Sequence, residues 1–168
     1  MKSNYENKIF TEVNDLLPRL AQIKRPMVFT NGCFDLLHLG HVDYLEQAAA
    51  LGETLVVGVN SDRSIRNLGK GDDRPYNPQH DRMAVVAGLG SVDFVVGFDD
   101  DTPLSLIQAL KPDHLVKGED WAVENIVGVD VVEAYGGSVH AVPFRFQRST
   151  TALADRIKAF HNLFSSGS

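Results

Sequence analysis

The chain has 168 residues, 43% hydrophobic and 23% charged, which suits a sizeable core and excludes an intrinsically disordered chain. Sixteen Lys and Arg against 22 Asp and Glu leave a net charge of −6, which argues against a general polyanion-binding surface and a nucleic-acid partner. The one cysteine, Cys33, excludes an intrachain disulfide and a multi-cysteine zinc site. No apolar run approaches the ~20 residues of a membrane span, and the N-terminus has no apolar signal core, so a cytoplasmic protein without a membrane partner is expected.

One domain is expected across residues 1–168. Phe10, Val13, Leu16, Leu17, Leu20 and Ile23 recur at three- and four-residue spacing, which predicts an amphipathic helix within residues 1–25 that Pro18 should kink or restart. "MVFTN" then reads as a buried strand, and Leu39 to Leu51 as a helix closed by Gly52. Next come "TLVVGVN" as strand, "SDRSIRNL" as a short helix, a polar loop, and a helix with Asn77 as N-cap and Pro78 in its first position. "VDFVVGF", "DHLVKG" and "SVHAV" are further strands. Between and after them fall a helix capped by Thr102, a helix over Val127 to Tyr135, and a last helix from Ser149; residues 164–168 read as a frayed tail. Five apolar strands separated by helices predict an α/β fold, a Rossmann-like, doubly wound, five-stranded parallel sheet.

Such sheets bind ligands beyond the carboxyl ends of their strands, where the strand order reverses. The loop after the first strand reads "NGCFDLLHLGH". Gly32 permits a sharp turn and close backbone approach, and the free N–H groups where a helix begins near His38 form an anion site. His38 and His41, three apart, share a helical face, and Gly40 leaves room for a phosphate between them, so the pair suits a polyphosphate. A metal site would need a third ligand and usually a wider helical spacing, and the other histidines are scattered. Cys33 reads as a small buried residue, Asp99 to Asp101 as a solvated turn and helix cap, and Arg82 as either a surface charge or a substrate contact.

"NGCFD" followed by "HLGH" directly after the first strand, with "RSTT" opening the last helix, resembles the HxGH nucleotidyltransferase superfamily. With "VVGVNSDRSIRNLGKGDDRP", "DRMAVVAGLGSVDFVVGFDDDTP", "LKPDHLVKGEDW" and "IVGVDVVEAYGGSV", the resemblance narrows to the heptose 1-phosphate adenylyltransferases and covers residues 27–157. It implies an enzyme that transfers AMP from ATP to D-glycero-β-D-manno-heptose 1-phosphate, releasing pyrophosphate, for lipopolysaccharide core biosynthesis. A glycerol-3-phosphate cytidylyltransferase, another small nucleotidyltransferase, or a catalytically inactive nucleotide-binding regulator are the alternatives.

The resemblance implies that His38, His41 and Lys117 are catalytic. Thr30, Asn31, Gly32, Cys33, Phe34, Asp35 and Gly40 would cradle ATP, and Ser149, Thr150 and Thr151 would hold its β- and γ-phosphates. Candidate residues on the acceptor side are Asn60, Asp62, Lys70, Arg74, Glu119, Asp120 and Arg148. Mg²⁺ would travel with ATP, its protein ligands unknown; the remaining partners would be small molecules and a second copy in a homodimer. Two departures stand out: the family pattern Lys-Gly-Gly-Asp-aromatic is "KGEDW" here, and "FQRSTT" stands where a glycine and an aromatic usually precede Ser-Thr-Thr.

Overall fold

The computed structural model describes residues 5–69, 73–119, 125–146 and 148–165. A 3₁₀ turn (Glu6–Lys8) leads into β1 (Ile9–Phe10) and α1 (Val13–Leu20), followed by β2 (Met27–Gly32), α2 (Leu39–Ala49), β3 (Thr54–Asn60) and α3 (Asp62–Asn67). Then come α4 (Gln79–Ala87), β4 (Phe94–Phe98), α5 (Leu104–Leu110), β5 (His114–Gly118), α6 (Val129–Ala134), β6 (Ser138–Val142) and α7 (Thr150–Ser165). All strand pairs are parallel and the order is β1-β4-β3-β2-β5-β6, so the order reverses at β2 and β5.

The doubly wound sheet therefore has six strands, where the sequence predicts five. The extra one is β1, whose Ile9 and Phe10 pair with Val95 and Val96 of β4. Two residues are too few to show a period of two, and Phe10 also fits the three- and four-residue spacing of the helix that follows. The helix expected within residues 1–25 is confined to Val13–Leu20; Pro18 lies inside it, and it ends two residues later. At the other end, α7 runs through Ser165, into the segment expected to fray.

Strand alternation sorts the core into two layers. Val28, Leu55, Val57, Val59 and Val116 face Leu45 and Ala48 of α2 and Met83 and Val86 of α4. Met27, Phe29, Val56, Val96 and Leu115 face Leu16 of α1, Leu106 and Ile107 of α5 and Val132 of α6. With both faces covered, the strands read as nearly continuous apolar runs. No helix among the described residues is long and apolar enough to cross a membrane.

The strand-end loops are knitted together by Arg82 on α4, whose side chain is fully buried. Its Nε donates to Asn77 O (2.9 Å), Nη1 to Cys33 O (2.6 Å), and Nη2 to Asn60 O (2.8 Å) and Asp62 Oδ1 (2.7 Å). It is not a surface charge: all of its described contacts are to the protein's own oxygens. One guanidinium, a fork of five donors in fixed geometry, thus ties the loop after β2 to the end of β3 and the starts of α3 and α4. Asn77 does not cap α4, because its side chain donates to Asp35 O (2.8 Å); Pro78 occupies the cap instead. The acidic run after β4 is likewise structural: Asp99 binds Arg63 and the Ser61 hydroxyl, and Asp101 accepts from Asn67.

Arg82→Met keeps the apolar stem but takes the donor from three carbonyls, one buried and two half-buried, and strips Asp62 of its cation. Urea denaturation is expected to show a loss of about 3 kcal/mol, far above the ~1 kcal/mol of a typical core-conserving substitution; a loss below ~1 kcal/mol would contradict the role given to Arg82.

Candidate active site

Between β2 and α2 the chain turns at Phe34, whose φ of 47° lies in the left-handed region that non-glycine residues rarely adopt. Its ring is buried, and a Cβ on Gly32 would stand 3.0 Å from its Cε2, so Gly32 is what lets the ring fold back. His38, extended, then precedes the first turn of α2, and its carbonyl accepts from His41 N at 2.9 Å. The two imidazoles stack, centroids 3.9 Å apart and planes 22° apart, and the Phe34 ring stands 5.4 Å from that of His41. A Cβ on Gly40 would lie 3.1 Å from Nδ1 and Cε1 of His38 and 3.4 Å from Phe146 O. Gly40 therefore makes room for the His38 ring and the 146 carbonyl, and it lies on the cavity wall beside both histidines.

Burial, and secondarily the neighbouring His38, pushes the His41 imidazole down to about 4; burial and then the nearby Arg148 lower that of His38. Both rings are accordingly neutral at pH 7, and Nδ1 of each is buried without a hydrogen-bond partner among the described residues. Positive charge comes from elsewhere. Lys117, at the end of β5, donates to Asn31 O (3.3 Å) and to Asn31 Oδ1 across the reversal point of the sheet. Arg74 lies 2.7 Å from the Asp35 carboxylate in an ion pair whose two side chains are buried. Asp35 also accepts from the backbone N–H groups of Tyr76 (2.9 Å) and Asn77 (3.0 Å), which anchors the loop that carries Arg74.

These groups line one cavity of about 710 Å³ beyond the carboxyl ends of β2 and β5. His38, His41 and Lys117 lie on its wall, as do Asn31, Gly32, Cys33, Phe34, Asp35, Gly40, Ser149, Thr150 and Thr151; from the acceptor-side set, Arg74 and Arg148 join them. The other expected residues are placed elsewhere. Thr30 is buried in the core and shares a 2.6 Å hydrogen bond with the Tyr44 hydroxyl. Asn60 donates to Ser64 Oγ (2.9 Å), Asp62 accepts from Arg82, and Glu119 accepts from Phe144 N (3.1 Å). Lys70 and Asp120 lie outside the described residues.

Phe144 and Phe146 complete the wall. The sequence marks "PFRFQRSTT" as a strand-end loop, but not which of its side chains turn inward. His114 and His140 share a 3.1 Å hydrogen bond near the opposite, amino end of β5, away from the cavity. Among the described residues no group of three or more His, Cys, Asp or Glu is placed to hold a metal. Among the described residues the carboxylate on the cavity wall is that of Asp35, engaged by Arg74 and two backbone donors, and no step is assigned to a protein-bound metal. The arrangement can bind and align polyanions; among the described residues it places no activated nucleophile beside a base.

The cytidylyltransferase-like family matches residues 29–161. A D-beta-D-heptose 1-phosphate adenylyltransferase of Bordetella bronchiseptica is 50% identical over 93% of this chain and 97% of its own length. The bifunctional protein HldE of Pseudomonas savastanoi pv. phaseolicola is 53% identical over 80% of this chain, a stretch that makes up only 28% of that longer protein. Among solved structures, a lipopolysaccharide core biosynthesis protein from Thermoplasma volcanium superposes with a TM-score of 0.60 at 30% identity, covering 73% of this chain and 98% of that one.

His41 carries its ordinary value of 6.5 when unfolded and about 4 when folded, so the fold gains from its neutrality above pH 6.5 and loses that gain as pH falls from 6.5 toward 4. Urea denaturation of the ligand-free protein is expected to show stability falling through this window, and less steeply in His41→Gln. Equal slopes for the two proteins would mean that His41 is not held neutral by the fold.

Proposed function

Because the chain belongs to the cytidylyltransferase-like family, we propose that it is the adenylyltransferase that joins AMP from ATP to D-glycero-β-D-manno-heptose 1-phosphate, giving ADP-heptose and pyrophosphate for lipopolysaccharide core biosynthesis. The observation that carries the reaction class is the convergence of two neutral imidazoles, Lys117, Arg74 and Arg148 on one cavity at the reversal point of the sheet. The acceptor is supported by the name of the Bordetella relative, with which the chain shares half its residues over nearly its full length.

The chemistry asks little of a base. The attacking atom is an oxygen of the sugar phosphate, ionised at neutral pH; it forms a new P–O bond at the α-phosphorus of ATP as the bond to the β-phosphate oxygen breaks. Two anions must be held in line and the charge growing on the α-phosphoryl and leaving pyrophosphate must be stabilised. His38 and His41 donate hydrogen bonds to the ATP phosphates, at no cost of a buried imidazolium. Lys117, bridging the ends of β2 and β5, neutralises the α-phosphate or the incoming sugar phosphate. Ser149, Thr150 and Thr151, at the start of α7, hold the β- and γ-phosphates. Arg74, fixed by Asp35, and Arg148 supply further cationic contacts. The reading extends to a cytoplasmic enzyme, with Mg²⁺ entering as the counter-ion of ATP.

The test is pyrophosphate release with each nucleoside triphosphate, Mg²⁺ and a panel of sugar and polyol phosphates. Turnover is expected with ATP and heptose 1-phosphate; release only with CTP and glycerol 3-phosphate would replace the acceptor and the base, and ATP binding without any turnover would favour a regulator. His38→Ala is expected to lower kcat by ~10²–10³ with the melting temperature little changed, the scale for loss of one transition-state hydrogen-bond donor. Lys117→Ala should act similarly, and a near-normal kcat in either would remove that residue from the mechanism.

A further inference from the structure

After β6 ends at Val142, the described residues 143–146 and 148–149 belong to no helix or strand, and α7 begins at Thr150. This segment carries Phe144, Phe146, Arg148 and Ser149 to the cavity wall. Irregular backbone keeps a fixed position only where side chains pin it, and three do so. Gln47 donates to Pro143 O (3.1 Å), Glu119 accepts from Phe144 N (3.1 Å), and Arg145 grips Asp43 with Nε (3.1 Å from Oδ2) and Nη2 (on Oδ1). The Asp43 side chain is only 9% exposed, whereas that of Arg145 is 58% exposed. A carboxylate so far withdrawn from water needs its cation, and a two-point contact fixes direction as well as distance. Gln47, one turn along α2, holds the same carboxylate at 2.8 Å.

Neither Asp43 nor Arg145 lines the cavity, and neither has a part in the mechanism above. Asp43 nevertheless sits two residues beyond His41 on α2, so the helix that presents the histidines also holds the segment that delivers Arg148 and the start of α7. The approach of Phe146 O to Gly40, 3.4 Å from where a Cβ would stand, shows how closely that segment lies over the histidine turn.

We propose that the Asp43–Arg145 ion pair is a positioning latch: it seats residues 143–146 against α2, and with them Arg148 and the start of α7, and so sets the affinity of the site for the triphosphate of ATP. This rests on the adenylyltransferase reading. Opening the latch leaves His38, His41 and Lys117 in place on α2 and β5, and loosens contacts of Arg148, Ser149 and Thr150 to the β- and γ-phosphates that ATP already makes in the ground state. The effect therefore falls on KM for ATP and not on kcat.

Asp43→Asn, Arg145→Gln and the double variant would be compared with the wild type by steady-state kinetics and by calorimetric titration of ATP without acceptor. Each single change is expected to raise KM and Kd for ATP about tenfold, the scale of one lost charge-assisted contact, with kcat within about threefold and KM for the sugar phosphate unchanged. The double variant should be no worse than either single one, as for two halves of one contact. A fall in kcat with KM for ATP unchanged, additive effects in the double variant, or an unaltered Kd would overturn the latch. If wild-type protein binds ATP but shows no turnover with heptose 1-phosphate, the functional reading fails, and the Kd values still decide the latch.

Discussion

The geometry of the cavity depends on a single buried cation that never touches it. The guanidinium of Arg82 holds Cys33 O, Asn60 O and Asn77 O together and closes on Asp62. These carbonyls belong to the loop after β2, the end of β3 and the approach to α4, all at the carboxyl edge of the sheet, where backbone groups run out of strand partners. An unpaired buried carbonyl is costly, so each loop would otherwise have to stay near water. Arg82 removes that constraint from the segments that carry it, and the loop bearing Asp35 and the histidine turn can pack down. Asp35 extends the same logic outward: its carboxylate fixes Tyr76, Asn77 and Arg74, turning a peripheral loop into part of the cavity wall.

Charge is distributed in the site by a division between rings and flexible side chains. The histidines are crowded against each other and against Phe34, and desolvation keeps them uncharged. The positive groups sit on longer side chains from three other parts of the chain: β5, the loop before α4 and the segment before α7. A protein of net charge −6 can thus present a cationic pocket without a cationic surface. Neutral donors suit a reaction in which charge moves between phosphoryl oxygens and no proton need be taken up.

Much of this was legible before any coordinates. The alternation of apolar strands and helices predicts the parallel sheet, and the position of "NGCFDLLHLGH" after a strand places the histidines at its carboxyl edge. What escaped was whatever depends on two distant segments meeting. Arg82 looks like any helix-surface arginine, since nothing local marks the carbonyls it will reach, up to 49 residues away. Asn60, Asp62 and Glu119 stand at strand ends, as ligand-binding residues do, yet each has a partner within the protein that no local pattern announces. The spacing shows that Gly40 leaves room for a close neighbour, but not that the His38 ring and Phe146 O are the protein groups beside it. Strand β1 is too short to leave a periodic mark and is created by the open edge of β4 that it covers.

Lys117 and Asn31 show what the reversal point does to a strand pair. The register between β2 and β5 pairs Val28 with His114 and Phe29 with Leu115, and beyond it the gap between the strands is spanned by the lysine ammonium on Asn31. The cation on which the chemistry would centre is therefore engaged at rest. An incoming phosphate would have to displace an amide oxygen already in contact with that ammonium, so binding at Lys117 carries the cost of opening the link between β5 and β2.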